Sequence, residues 1–183
     1  MRRALLIAGL LFAAGSLHAQ VATPPDTALD AAHAVQRDAF LVLRDSTSGI
    51  TAAGSRLMSG LSPTASLAWL QGRARGMAQA CARTVAPLGQ AREVVTKATW
   101  PKTYQQKARA EMLKAIAAFN PQLLQCQKDW KALAADTSQY NLRVTAPHAA
   151  SVVQSQVVEF ESASQRYLQY ISVKLPLPVS GLQ

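Results

Sequence analysis

The most regular hydrophobic pattern of the chain runs from Met112 to Leu133. At alternating steps of four and three residues, every position is apolar or cysteine: Met112, Ile116, Phe119, Leu123, Cys126, Trp130 and Leu133. The lysines and glutamines of the same stretch fall between these positions. This spacing is typical of a helix that buries one stripe against neighbouring helices. We therefore predict a helix from Thr103 to about Ala135.

Three further stretches repeat this spacing. They predict helices over about residues 27–59, 63–98 and 147–173. Connections between them are short, and no stretch shows the alternating pattern of a strand. The expected fold class is therefore all-α, an antiparallel up-down-up-down four-helix bundle formed by residues 27–174 as a single domain, followed by an extended, proline-containing tail over 175–183.

Prolines and capping residues set the expected boundaries. Ser62 and Pro63 predict the N-cap and the first residue of the second helix. Pro87 and Pro121 lie inside predicted helices, so the bundle is expected to be kinked near each. The alternatives are an early helix end at Pro87 and a split at Pro121, with Asn120 capping the second part. Turn-type residues over 136–147 predict a loop before the fourth helix.

The N-terminus has the pattern of a secretory signal. A basic head at residues 1–3 is followed by an apolar run from Ala4 to Ala14 and a small residue at Ala19. A membrane anchor is the alternative, but the run is shorter than the ~20 residues that a span needs. We expect a signal peptide over residues 1–19, a disordered lead-in over 20–26, and a periplasmic or secreted mature chain without a transmembrane segment.

The chain contains two cysteines. In an oxidising compartment, an even number favours a disulfide between Cys81 and Cys126, with buried free thiols as the alternative. Cys81 lies 20 residues before Pro101 and Cys126 lies 25 residues after it. In a straight hairpin this offset is about 7 to 8 Å along the helix axis, so the pairing is expected to need bends in the helices.

The charge is strongly basic and uneven. Its formal value is +9, or +7 once Arg2 and Arg3 are removed with the signal, and ten lysines and arginines between Arg56 and Lys114 are opposed by two glutamates. This distribution favours an anionic partner, such as a membrane surface, a polysaccharide, an acidic protein or extracellular nucleic acid. The alternative is a solvated basic surface that keeps the protein soluble. The candidate anion-binding residues of the second and third helices are Arg73, Arg75, Arg83, Arg92, Lys97, Lys102, Lys107 and Arg109.

Trp100 lies at the predicted turn between two of these lysines. An exposed tryptophan there can stack on a base, a sugar or a lipid edge. A tryptophan packed beneath the turn is the alternative.

The sequence contains no recognisable catalytic motif. Outside the signal there are two histidines, His33 and His148, which the bundle places at opposite ends, so we expect no metal site. Met58 and His148 fall at the same end, and such a pair across a bundle can hold a b-type haem. The alternative is that Met58 fills the core and His148 lies at the surface.

Three functions follow in order of preference. The first is an exported, non-enzymatic interaction module with a basic surface. The second is a small-ligand or haem carrier that uses the bundle interior. The third is a structural or assembly subunit that forms a homo-oligomer, because the apolar run over residues 40–43 is wider than one stripe requires.

Overall fold

The structure, a computed structural model, describes residues 27–176 and forms four α-helices over this range. They are α1 (Thr27–Gly60), α2 (Leu67–Lys97), α3 (Thr103–Ala135) and α4 (Gln139–Tyr170). No β-strand occurs in the described range, so the prediction of an all-α, four-helix protein is confirmed. The predicted signal peptide, the lead-in over 20–26 and most of the predicted tail, residues 177–183, lie outside the described residues.

The hydrophobic stripes form the core as their spacing predicts. On α3, six of the seven stripe positions are buried and Leu133 is half-buried. Phe119 stacks on Phe160 of α4, with ring centroids 4.3 Å apart. Stacking of two aromatic rings adds to the stabilisation that their burial already gives.

Gln36 of α1 is a polar residue that is buried in the core, and both ends of its side-chain amide have hydrogen-bond partners. Gln36 donates from Nε2 to the Val94 carbonyl of α2 at 2.9 Å and accepts from the Tyr167 hydroxyl of α4 at 3.1 Å. Because a buried amide without partners is costly, these bonds explain why a glutamine is tolerated inside the core. They also join α1 to two other helices at this level.

Each helix packs against the next one along the chain, and α4 also packs against α1. Between α1 and α2, the Thr84 hydroxyl donates to the Ser46 carbonyl at 3.2 Å. Between α2 and α3, Cys81 and Cys126 lie at disulfide-bonding distance with α-carbons 6.1 Å apart, and both side chains are buried. The predicted cysteine pair is therefore present in the fold, despite the offset expected for a straight hairpin.

Two helix starts differ from the prediction. The N-cap of α2 is Ser66, whose side chain accepts from the Trp69 amide, so Ser62 and Pro63 lie in the preceding connection. Helix α4 begins at Gln139, eight residues before Pro147, and Ser138 is its N-cap. The expected loop over 136–147 is thus wrong, because Leu142 and Ala146 extend the buried stripe through the region and outweigh the missing amide of one proline.

Helix α2 is also continuous to Lys97, so the early end considered at Pro87 does not occur. Within the described part of the chain, no helix combines the length and apolar character needed to cross a membrane.

Helix α4 ends in a Schellman motif. The Val173 amide donates to the Leu168 carbonyl at 2.9 Å and the Ser172 amide donates to the Gln169 carbonyl at 3.1 Å. Ser172 has a φ of 61°, the left-handed conformation that this cap requires. Val173 and Leu168 are both buried at this end of the helix, and the Pro176 carbonyl that follows accepts from Arg44 Nη1 of α1.

Candidate anion-binding groove

The eight predicted cations do not form one continuous surface. Six are exposed, whereas Arg73 and Arg109 are half-buried. Arg73 and Arg83 line a groove between α1 and α2, whereas Arg75 lines a separate groove between α2 and α3 with Lys131. The structure therefore brings only part of the predicted set together.

Two of the predicted cations have charged or carbonyl groups as partners within the described residues. Arg109 donates from Nε to the Val95 carbonyl at 2.8 Å and from Nη2 to the Thr96 carbonyl. These carbonyls belong to the last turn of α2, where no further helical amide is available to them. Arg109 thus caps α2 from α3, and we remove it from the candidate binding residues.

Lys97 is the second cation with a partner. Its Nζ lies 2.6 Å from Glu93 Oε1 on the same helix, at i,i+4 spacing. The hydrogen bond and the charge of Lys97 lower the pKa of Glu93 below its usual value. The ammonium of Lys97 is therefore partly neutralised at the surface.

The groove between α1 and α2 has a volume of about 530 Å³. Arg56 lines it from α1, and Arg73 and Arg83 line it from α2. Asp45 also lines it, so three cations are opposed by one carboxylate. In residues 27–176 the ion pairs are Arg37–Asp38, Arg44–Asp45 and Lys97–Glu93, and none of them uses the three groove arginines.

The walls of this groove are made of very small residues. They are Gly49 and Ala53 on α1, and Gly72, Gly76 and Ala80 on α2. A Cβ atom added at Gly49, Gly72 or Gly76 would have no neighbour within 4 Å. Packing within the described chain therefore does not require these glycines, although each one weakens its helix relative to alanine.

Trp69 holds the side chain of Arg73 at the groove. The Arg73 guanidinium lies over the Trp69 ring, 5.1 Å from its centroid. The ring itself is held close to the end of α1, where a Cβ added at Gly60 would lie 2.3 Å from Trp69 Cζ2. Such stacking restricts the arginine while leaving its charge available.

Comparisons with protein-family models, with curated proteins and with solved structures found no match. The assignment of this groove therefore depends on the geometry of the chain itself.

The structure corrects the role considered for Trp100. Its side chain is only 3% exposed, so it cannot act as an exposed stacking platform. Its ring stacks on His33 with centroids 5.5 Å apart, and its carbonyl accepts from Gln106 Nε2 at 3.0 Å. The packed alternative describes this residue correctly.

The hydroxyl of Tyr167 is buried in the core. Burial raises the pKa of Tyr167 to about 12, because the phenolate would lose its contact with water. The Tyr167 hydroxyl therefore stays protonated at neutral pH and acts as the donor to Gln36.

The pair considered for haem does not line the interior. Met58 is 46% exposed and His148 is also exposed, so neither side chain reaches the core. Among the described residues, no group of three or more His, Cys, Asp or Glu side chains is arranged to hold a metal ion.

The apolar run over residues 40–43 is largely used inside the chain. Phe40 and Leu43 are 2% and 1% exposed, and Val42 is the one member with an exposed side chain. Packing within the chain therefore accounts for Phe40 and Leu43, and the homo-oligomer stays a prediction.

The sequence did not identify Arg56, or the glycines Gly49, Gly72 and Gly76, as residues of the candidate site. Arg56 belongs to the cation-rich interval, but its neighbours across the groove are set by how α1 packs on α2. The spacing of Gly72 and Gly76, four residues apart around Arg73, is the one signal that could have identified this face.

Proposed function

We propose that the chain is an exported, non-enzymatic interaction module that binds an anionic partner in the groove between α1 and α2. The observation that carries this proposal is the convergence of Arg56, Arg73 and Arg83 on one concave surface. Export is supported by the basic head and apolar run of the first 19 residues. An oxidising compartment also agrees with the close approach of the two cysteines.

We further propose that the four helices run up, down, up and down. Two contacts support this topology. Gln36, near the start of α1, bonds to Val94, near the end of α2, and Gln71, near the start of α2, bonds to Asp136, just after α3. The bends at the two predicted prolines, Pro87 and Pro121, stay predictions.

The shape of the groove favours a slender partner. A membrane surface is flat on this scale and would contact only the rims of a concave groove. A polypeptide segment can enter it, because glycines at Gly49, Gly72 and Gly76 let another backbone approach closely. With three cations against one carboxylate, the segment that fits is acidic.

The experiment uses the purified protein and a labelled peptide rich in glutamate. Binding is measured by fluorescence anisotropy over a range of salt concentrations. We expect the variant R56Q/R73Q/R83Q to bind more weakly by roughly three- to a hundredfold, since partly exposed ion pairs contribute about 0.2–1 kcal/mol each. The affinity of the parent protein should fall as added salt screens these charges.

A matched control removes the same charge elsewhere. The variant K107Q/K114Q/K128Q replaces three exposed lysines of α3 that do not line the α1–α2 groove. It should keep most of the affinity. Equal loss in both variants would show that net charge alone drives binding and would refute a groove site.

A third measurement separates the partner classes. Sedimentation with vesicles of phosphatidylglycerol tests a membrane surface directly. If the vesicles bind and the peptide does not, the acidic-segment assignment is wrong. Absence of binding to either probe at low salt would remove the anion-binding function altogether.

A further inference from the structure

A second basic groove lies on the other side of α2, between α2 and α3. It has a volume of about 370 Å³ and is lined by two cations, Arg75 of α2 and Lys131 of α3. Among the described residues, no aspartate or glutamate lines it. Both cations are exposed, and neither forms an ion pair or a side-chain hydrogen bond with the rest of residues 27–176. The groove can therefore hold an anion without competition from a neighbouring carboxylate.

Gln79 belongs to both grooves that flank α2. It lines the α1–α2 groove and also the α2–α3 groove, so it marks the ridge of α2 that separates them. Gly72 and Gly76 precede it by seven and three residues, a spacing that places all three on one face of the helix. Because the glycines carry no side chain, the ridge is low at this point. Another chain can therefore cross α2 close to its backbone.

The separation of the two grooves suits a short stretch of extended polypeptide. Helices that pack side by side have axes about 8–10 Å apart, so the grooves on either side of α2 are separated by roughly 10 Å. An extended peptide advances about 3.3 Å per residue, so about three residues cross the helix. A segment that also reaches cations in both grooves needs about six to eight residues.

The free polar groups favour a polypeptide as the crossing chain. The side-chain amides of Gln79 and Gln127 line the α2–α3 groove and have no hydrogen-bond partner within the described part of the chain. Each amide offers both a donor and an acceptor, which match the carbonyl and the N–H of a peptide bond. A polyphosphate backbone offers acceptors alone.

The charges of the two grooves require the segment to be acidic on both sides of α2. Asp45 is the one carboxylate among the described lining residues, and it is already paired with Arg44 at 3.5 Å. The cations number five: Arg56, Arg73, Arg83, Arg75 and Lys131. Such an excess complements a segment with carboxylates along its whole length.

We infer that an acidic polypeptide segment crosses α2 at Gln79 in extended form and places carboxylates in both grooves. This inference rests on the proposed binding of an acidic partner in the α1–α2 groove and adds the α2–α3 groove as the second half of the site. It assigns Arg75 and Lys131 to binding. It also makes the affinity depend on the length of the partner.

Fluorescence anisotropy with labelled polyglutamate peptides of two lengths tests the crossing. A peptide of about four residues occupies one groove, whereas a peptide of about twelve residues reaches both. The variant R75Q/K131Q should bind the long peptide roughly two- to thirtyfold more weakly than the parent, because two exposed ion pairs are lost. It should bind the short peptide within about twofold of the parent, since the arginines of the α1–α2 groove remain. The variant R56Q/R73Q/R83Q should bind both lengths more weakly.

A matched control removes two charges outside both grooves. The variant K107Q/K114Q replaces two exposed lysines of α3 that line neither of them. Its affinity for the long peptide should stay within about twofold of the parent's. Circular dichroism of each variant checks that the helices are retained.

The outcomes separate this inference from the proposed function. Equal affinity of the parent and R75Q/K131Q for the long peptide would overturn the crossing, while weaker binding by R56Q/R73Q/R83Q would leave the α1–α2 groove as the site. Equal weakening in R75Q/K131Q and K107Q/K114Q would show a general effect of charge and would also overturn it. Tighter binding of polyphosphate than of polyglutamate of equal charge would reject a polypeptide partner. If the parent binds neither peptide at low salt, the proposed function itself fails.

Discussion

Replacing two groove glycines by alanine should make the protein more stable and less able to bind. In Gly72→Ala/Gly76→Ala, each new methyl group enters open space, since an added Cβ would have no neighbour within 4 Å. Glycine inside a helix is less favourable than alanine by roughly 0.5–1 kcal/mol. The double variant should therefore gain about 1–2 kcal/mol in the free energy of unfolding, if the two effects add.

The assay follows unfolding by circular dichroism in urea and, in parallel, binding of the acidic peptide. For a domain of this size, the gain corresponds to a rise of about 2–8 °C in the melting temperature. Gly89→Ala is the matched control, because its Cβ also meets nothing within 4 Å but the residue does not line the groove. It should be stabilised by half as much as the double variant and bind normally.

Gly60 tests the same reasoning, because an added Cβ would clash there instead of entering open space. A Cβ at Gly60 would lie 2.3 Å from Trp69 Cζ2, which belongs to a rigid ring. Gly60→Ala should therefore lower the free energy of unfolding.

If Gly72→Ala/Gly76→Ala is destabilised instead, the reasoning about open space is wrong. If it is stabilised and binds the peptide as before, the groove is not the binding site.

Three further predictions concern the cap, the buried tyrosine and the cysteine pair. Because Ser172 adopts a left-handed conformation with φ 61°, Ser172→Val should be less stable than Ser172→Gly by about 1–2 kcal/mol in denaturant unfolding. Above about pH 10 an unfolded tyrosine loses its proton, whereas folded Tyr167 keeps its own until about pH 12. The folded state binds more protons in this window, so stability should fall by about 2–3 kcal/mol as pH rises through it. Tyr167→Phe should flatten this part of the pH profile, and an unchanged profile would contradict the assignment. Cys81 and Cys126 are separated by 45 residues, so Cys81→Ala/Cys126→Ala should lose about 4 kcal/mol of stability in the chain-entropy description. Equal urea midpoints for this variant and the oxidised parent would show that the pair contributes no constraint.

The sequence predicts the buried stripes well because each one is a local property of a single helix. Six of the seven positions marked on α3 are buried, including Cys126. Its partner Cys81 lies on the stripe of the neighbouring helix, so the pairing follows from the same periodicity.

The helix boundaries are predicted less well because competing signals lie close together. Ser62 and Ser66 are both good N-caps, and the sequence does not show that Ser66 is the one whose side chain accepts the Trp69 amide. Similarly, Pro147 has the properties of a first helical residue, yet the stripe continues before it through Leu142. In both cases tertiary packing decides between two locally acceptable starts.

The candidate site is the part that the sequence could predict least. Its charge is visible in the composition, but the grouping of the cations depends on how the helices are rotated about their axes. That rotation brings Arg56 to the same groove as Arg73 and turns Arg109 towards the carbonyls that end α2. It also buries Trp100, whose position at a turn suggested exposure.

The links between α2 and α3 have a consequence for how the molecule opens. The cysteine pair joins the middle of these helices, and Arg109 joins α3 to the last turn of α2. By contrast, α1 and α4 are separated along part of their length by a groove. Amide hydrogen exchange should therefore be slowest in α2 and α3, and local fluctuations should occur first along the α1–α4 edge. The α1–α4 edge can thus open locally while the cross-linked pair α2 and α3 stays folded.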